Sequence, residues 1–140
     1  MKTRGPSEAQ IQKQIDDFLE LDGWRIIRTD LPHLRGLGVQ EKGIPDRLYV
    51  RYGLYVRYGF VALCSATPMV RATGNQLFWC EHKKRGGKLS QAQRDWIARE
   101  RARGALVVVA GEDFEPSLDG WAQWYKNSGL QHISVRLAGK

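Results

Sequence analysis

The feature that most constrains how this chain can fold is a nearly continuous apolar run from Ala105 to Ala110. The run reads Ala-Leu-Val-Val-Val-Ala, so both faces of a strand at this position would be apolar. Strands of this kind are typical of the buried centre of a sheet that has helices on both sides. The run therefore predicts a central strand in a layered α/β structure.

Three other segments have the signals of helices. Ser7 and Gln10 have the spacing of a capping box, and an apolar stripe follows them until Asp22-Gly23 ends the helix. The stripe consists of Ile11, Ile15, Phe18 and Leu19. Ser90 is expected to cap a second helix that ends near Gly104. Pro116 is expected in the first turn of a third helix.

The remaining regular segments have the composition and period of strands. They are residues 24–28, the segment that starts at Asp46, residues 76–83 and a last segment at 131–137. Up to residue 130 the predicted order is α-β-β-β-α-β-α, which indicates a mixed sheet flanked by helices. The hexapeptide Leu-Tyr-Val-Arg-Tyr-Gly occurs twice in tandem, at 48–53 and 54–59. Because the repeat length is even, equivalent residues of the two copies can lie on the same face of a strand. Residues 60–74 are expected to form a hairpin arm or a loop.

Size and charge narrow the class of protein. The chain has 140 residues, a length that favours a single domain spanning residues 1–140. Its formal net charge of +7 favours a polyanionic partner. Eight Lys and Arg residues lie between Lys83 and Arg103, opposed only by Asp95 and Glu100. The alternative is a basic protein with a solvated charged face. Two cysteines, no apolar leader and no run long enough for a membrane span favour a cytoplasmic protein.

The candidate chemistry lies at Asp46, Glu81 and Lys83. Positions i and i+2 of a strand share a face, so Glu81 and Lys83 point the same way and His82 points the opposite way. Two carboxylates suit a hard divalent cation, which assists phosphodiester hydrolysis. Lys83 could then orient the attacking water, act as a base if its pKa falls, or stabilise charge on the phosphate. The structural alternatives are a turn at Pro45-Asp46 and a solvated Glu81–Lys83 pair.

These residues resemble the PD-(D/E)xK nuclease superfamily, and the closer resemblance is to its VRR-NUC branch. The resemblance covers roughly residues 7–115. It is carried by an ordered set of motifs: Glu8, Gly43-Ile44-Pro45-Asp46, Glu81-x-Lys83, Gly-Lys-Leu-Ser at 87–90, Gln93 three residues before Trp96, and the apolar strand at 105–110.

The resemblance implies a restriction-endonuclease-like fold and a Mg²⁺-dependent deoxyribonuclease in which Mn²⁺ can substitute. It implies that Asp46, Glu81 and the backbone carbonyl of His82 hold the metal and that Lys83 is the catalytic lysine. Gln93 would hold the lysine or the water, and Glu8 would lie in the outer metal shell. It further implies structure-selective cleavage of branched DNA by a homodimer, without a small-molecule cofactor. Lys84, Arg85, Lys88 and Arg94 are the candidate DNA contacts.

Two positions depart from the pattern of that branch. His82 and Arg47 occupy places where an apolar core residue is expected. Gln93 has a second interpretation as the partner of Ser90 in a capping box, and Glu8 as an acid at a helix N-terminus. A zinc site that uses Cys64, Cys80 and His82 lacks a four-ligand spacing.

Two other functions are open from the sequence. One is a non-catalytic nucleic-acid-binding module on the same fold. The other is a partner-binding protein that docks through Trp121 and Trp124 of the third helix.

Overall fold

The computed structural model describes residues 5–30, 41–52 and 75–130, which form an α/β structure. Their three helices and four strands follow the predicted order α-β-β-β-α-β-α. The helices are α1 (Glu8–Leu21), α2 (Gln91–Ala102) and α3 (Leu118–Ser128), and the strands are β1 (Arg25–Arg28), β2 (Arg47–Arg51), β3 (Gln76–Glu81) and β4 (Val107–Val109). The predicted strand at 131–137 and the predicted arm or loop at 60–74 lie outside the described residues, as does the second hexapeptide copy.

Each helix begins after a serine that caps its free N–H groups. Ser7 caps α1 and Ser90 caps α2, and in both cases a glutamine three residues later completes a capping box. Ser117 caps α3 and accepts the N–H of Gly120. Pro116 was expected in the first turn of α3, but it precedes the cap. The reason is that the Ser117 hydroxyl can satisfy a free N–H of the first turn, so the helix begins after the serine.

The four described strands form one mixed sheet in the order β1-β2-β3-β4. β2 is antiparallel to both of its neighbours, whereas β3 and β4 are parallel. In the β2–β3 ladder Arg47 pairs with Cys80 at one end and Arg51 pairs with Gln76 at the other. Continuing this register by one residue sets Asp46 opposite Glu81.

Helices cover both faces of the sheet. α1 and α3 pack on one face, in a cluster that includes Tyr49, Phe78 and the fully buried Trp121. α2 packs on the other face, where Trp96 meets Trp79 edge to face with ring centres 5.1 Å apart. The burial of Trp121 makes a docking role for that side chain untenable in this fold, and Trp124 packs against the same cluster.

The apolar strand β4 is buried on both sides, as its sequence predicts, and it is the last of the four described strands. The predicted strand at 131–137 lies outside the described residues, so a central place for β4 stays a prediction. Val108 belongs to the cluster under α1 and α3, and Val107 and Val109 belong to the cluster under α2. Its apolar composition therefore reflects helices on both faces. No helix in the described ranges is both long and apolar enough to cross a membrane.

Candidate active site

Glu81 is the centre of the candidate site. It ends β3 and has no solvent exposure. Its Oε1 atom lies 2.5 Å from Nζ of Lys83 and accepts a hydrogen bond of 2.6 Å from Nε2 of Gln93. Among the described residues its Oε2 atom has no hydrogen-bond partner, although the backbone N–H of Asp46 points toward the carboxylate. Within the described ranges, side chains therefore hold one oxygen of this buried carboxylate and leave the other without a hydrogen bond.

Gln93 makes two contacts with the two ends of its amide. Its Oε1 accepts the N–H of Ser90 at 2.9 Å and completes the capping box of α2. Its Nε2 reaches across to Glu81. The capping interpretation is therefore confirmed, and the same side chain also ties α2 to Glu81 at the end of β3. That Gln93 holds Lys83 or a water molecule stays a prediction.

The loop before β2 brings Asp46 to the same end of the sheet. Gly43 has φ +86°, and a Cβ there would lie 2.2 Å from the carbonyl oxygen of Ala92, so only glycine fits against α2 at this point. Ile44 then packs in the cluster under α2, and Pro45 is fully buried. Each residue of the Gly-Ile-Pro segment thus fixes the backbone that presents Asp46.

Hydrogen bonds hold the same loop from β1. The carbonyl oxygen of Asp46 accepts the N–H of Thr29 at 3.2 Å, and the Thr29 hydroxyl donates to the carbonyl oxygen of Pro45. The Thr29 contact was not anticipated from the sequence. The residue lies just after a strand and shows no pattern of its own, so only the tertiary pairing of β1 with β2 reveals it.

Burial and neighbouring charge shift the pKa values in the site. Burial raises the pKa of Glu81 to about 7, and the charge of Asp46 adds to the rise against the opposing effect of Lys83. Burial is also the largest cause of the raised pKa of Asp46, and the negative charge of Asp30 is the second. An added positive charge is therefore favourable at these two carboxyl groups.

Lys83 is positively charged in this environment. Burial alone lowers its pKa, but the hydrogen bond and charge of Glu81, with Glu8 and Asp46, outweigh that effect and leave the pKa above its usual value. The raised pKa favours the roles in which the charged ammonium stabilises the phosphate or orients water over the role of a base. The side chain is 15% exposed, which is enough for a ligand to reach it.

Glu8 connects α1 to this end of the sheet. Its Oε2 accepts the backbone N–H of Lys84 at 3.1 Å, and its charge raises the pKa of both Asp46 and Lys83. The position also suits an acid at a helix N-terminus. The place of Glu8 in an outer metal shell stays a prediction.

His82 follows β3, and its side chain is buried on the opposite face from Glu81, as the alternation of the strand predicts. Its Nε2 lies 3.0 Å from the hydroxyl of Tyr49, which donates its own hydrogen to Asp16 at 2.7 Å. The His82 ring must therefore donate from Nε2 to this hydroxyl. Burial lowers the pKa of His82 to about 3, so the ring is neutral and its Nδ1 carries no proton.

Arg47, the second unusual residue, is buried on the same face as His82. Its guanidinium pairs with Asp16 at 3.3 Å and with Asp30 at 2.9 Å. Neither Asp16 nor Asp30 shows this role through its own position in the sequence. An inward-facing arginine on a strand was the available signal, because such a charge needs a carboxylate partner in the fold.

Three of the four candidate DNA contacts lie in the loop after β3, and the fourth, Arg94, lies in α2. Lys84, Arg85 and Lys88 are exposed. Arg85 pairs with Glu115, and Arg94 donates to the carbonyl oxygen of Leu89 at 2.8 Å. In the part of the chain that the structure describes, the ammonium groups of Lys84 and Lys88 make no ion pair, so they are the better placed for phosphate.

The donor set fits a hard divalent cation with few protein ligands. Across residues 5–30, 41–52 and 75–130, no group of three or more His, Cys, Asp and Glu side chains is arranged to hold a metal ion. Asp46 and Glu81 offer carboxylate oxygens, including Oε2 of Glu81, which has no hydrogen-bond partner in the part of the chain that the structure describes. Mg²⁺ is commonly bound through one or two carboxylates, with water and substrate phosphate completing its shell, so these residues fit Mg²⁺ and not a closed zinc site.

Comparison of the chain with protein-family models, with curated proteins and with solved structures gives no match in any of the three.

Proposed function

We propose that this chain is a nuclease domain of the restriction-endonuclease-like type that hydrolyses DNA phosphodiester bonds with Mg²⁺, or with Mn²⁺ in its place. The observation that carries the proposal is the environment of Glu81. It is a fully buried carboxylate whose Oε1 contacts Lys83 and Gln93 and whose Oε2 has no partner among the described residues. Burying a carboxylate without full pairing costs stability. A cation-binding role explains why the fold carries it.

Each side chain has a part that follows from its position. Asp46 and Glu81 would hold the cation, which when bound would neutralise charge on the phosphate and lower the pKa of a water molecule. Gln93 keeps Glu81 oriented through Oε1. The charged Lys83 stabilises the negative charge that develops on the phosphate oxygens and can orient the attacking water.

The substrate class follows from the charge pattern and from the resemblance to the VRR-NUC branch. Lys84 and Lys88, exposed beside the site, suit contacts with a phosphate backbone that carry no sequence information. A homodimer would present two identical sites, which suits branched DNA. We therefore propose structure-selective cleavage by a dimer.

The direct test is a cleavage assay with linear, flapped and four-way DNA in Mg²⁺, Mn²⁺ or EDTA. We expect cleavage that requires the metal, and loss of cleavage in Asp46→Ala and in Lys83→Ala with folding and DNA binding largely retained. The matched control is Lys126→Ala, which changes an exposed lysine of α3. This variant should cleave DNA like the wild type. Metal-dependent cleavage by the purified Asp46→Ala/Lys83→Ala protein would refute the assignment.

The same assay distinguishes the proposed nuclease from the alternative, a non-catalytic nucleic-acid-binding module. That module would bind DNA with a steep dependence on salt and would cleave none of the three substrates with any metal.

A further inference from the structure

The two candidate metal ligands are each followed along the chain by a buried polar side chain. Arg47 follows Asp46, and His82 follows Glu81. Both side chains turn to the opposite face of the sheet, where Arg47 is 4% exposed and His82 is 1% exposed. These are also the two positions at which this chain departs from the apolar residues of the VRR-NUC pattern.

A continuous chain of contacts joins these two side chains behind the site. The Tyr49 hydroxyl accepts from Nε2 of His82 at 3.0 Å and donates to Oδ1 of Asp16 at 2.7 Å. Oδ2 of Asp16 accepts from Nε of Arg47 at 3.3 Å. Nη1 of Arg47 donates to the carbonyl oxygen of Asp46 at 3.0 Å, which returns the chain to the backbone of the site.

Packing alone does not require this arrangement. Replacing a buried ion pair by apolar side chains of similar volume is often neutral or stabilising. Hydrogen bonds between charged and polar groups are directional, whereas apolar contacts allow small shifts. A network that spans α1, β2 and β3 therefore fixes the relative position of the strands more narrowly than an apolar core would.

We propose that Tyr49, His82, Asp16 and Arg47 are positioning residues that set the spacing between the carboxylates of Asp46 and Glu81 from the back of the sheet. This inference rests on the proposed metal-dependent nuclease function. Outer partners of metal ligands commonly change metal affinity or activity about 10–100-fold when they are removed. Loss of the network should therefore weaken metal binding and slow cleavage more than it affects DNA binding.

The central variant is Tyr49→Phe, which removes the hydroxyl and both of its hydrogen bonds with little change in volume. The matched control is Tyr125→Phe, near the opposite end of the sheet. The Tyr125 hydroxyl is also buried between a ring N–H, that of Trp24 at 2.8 Å, and a carboxylate, that of Asp22. Both variants should lose similar stability in urea unfolding.

Three quantities are measured on the full chain: the Mn²⁺ dissociation constant by calorimetry, kcat at saturating DNA, and KM. For Tyr49→Phe we expect the Mn²⁺ dissociation constant to rise and kcat to fall by about tenfold or more, with KM unchanged. Tyr125→Phe should leave all three unchanged. His82→Gln, whose amide nitrogen can still donate to Tyr49, should retain more Mn²⁺ affinity than His82→Leu.

The outcomes separate this inference from the proposed function. Wild-type Mn²⁺ affinity and kcat in a folded Tyr49→Phe protein would overturn the positioning role, as would equal effects of Tyr49→Phe and Tyr125→Phe. If the wild type binds Mn²⁺ but cleaves no DNA, the nuclease function fails, while the Mn²⁺ affinities still decide the positioning role. If the wild type binds no Mn²⁺, both proposals are overturned.

Discussion

Nε2 of Gln93 donates to Oε1 of Glu81 over 2.6 Å, which makes the first turn of α2 part of the candidate site. The same amide group caps α2 through Ser90. The contact therefore couples the formation of a helix to the orientation of a candidate metal ligand, and the two contributions can be separated by mutation.

Gln93→Ala should lower kcat about 10–100-fold, because Glu81 loses one of the two side chains that hold its Oε1. The variant should also lose about 1 kcal/mol of stability through the capping box. Ser90→Ala is the matched control, since it removes only the cap; it should lose similar stability but cleave at the wild-type rate. The measurements are urea unfolding and single-turnover cleavage. Equal losses of activity in the two variants would reduce Gln93 to a capping residue.

Glu81→Gln should abolish cleavage and yet stabilise the metal-free protein at high pH. The pKa of Glu81 is raised to about 7 from an ordinary value of 4.5, so the folded state binds this proton more tightly than the unfolded state does. Its contribution to stability is present below about pH 4.5 and is lost as the pH rises through about 7. At pH 8 the amide, which carries no charge, should be more stable than the wild type by up to about 3 kcal/mol.

The measurement is urea unfolding in EDTA at pH 5 and pH 8 for both proteins. The lowered pKa of His82 gives the opposite trend, because its neutral form must be charged as the pH falls through about 3. That effect is common to both proteins and cancels in their difference. A Glu81→Gln protein that is no more stable than the wild type at pH 8 would show that the carboxylate is fully compensated by its neighbours.

Gly43→Ala should destabilise the protein by roughly 3–5 kcal/mol, since a Cβ there meets the backbone of Ala92 and the residue has a left-handed conformation. Gly86→Ala is the control. Gly86 also has a positive φ, of 75°, but a Cβ there meets nothing within 4 Å, so only the conformational cost of about 1–2 kcal/mol applies. Circular dichroism during thermal unfolding measures both. Similar stabilities for the two variants would contradict a close approach of this loop to α2.

Lys88→Gln should weaken DNA binding in a way that depends on salt. If the ammonium contacts one phosphate, its removal lowers the slope of log affinity against log salt by about one. Lys126→Gln removes the same single positive charge, but from α3, and should leave the slope unchanged. Fluorescence anisotropy at several salt concentrations, with Ca²⁺ in place of Mg²⁺, gives the slopes. Identical slopes for the two variants would place the DNA away from the loop after β3.

Local signals predicted the elements of this fold well. The capping boxes at Ser7 and Ser90 lie within single turns, so neighbouring residues alone determine them, and both are confirmed. The alternation along β3 correctly placed Glu81 and His82 on opposite faces. The burial of β4 on both faces is confirmed, because it depends on the helices above and below the strand. Its place in the sheet depends on pairing, and among the described strands it is the last.

For the site, the sequence predicted which residues are involved and their order along the chain, but not all of their side-chain contacts. The pairing of Gln93 with Ser90 in a capping box is confirmed, but its simultaneous contact with Glu81 requires the packing of α2 on β3. The role of Tyr49 was not predictable, because its partners come from α1 and from the end of β3, far apart along the chain. Long-range polar networks of this kind leave no periodic signal in one sequence.

The antiparallel pairing of β2 with β3 has a consequence for the duplicated hexapeptide. Asp46 and Glu81 lie at one end of this ladder, and the connection between the strands leaves from the other end, beyond Arg51 and Gln76. Loop closure becomes only slowly more costly with length, by about 0.6 kcal/mol per doubling. A change in the length of the connection therefore enters the ladder at Arg51 and Gln76, the end farther from the two carboxylates.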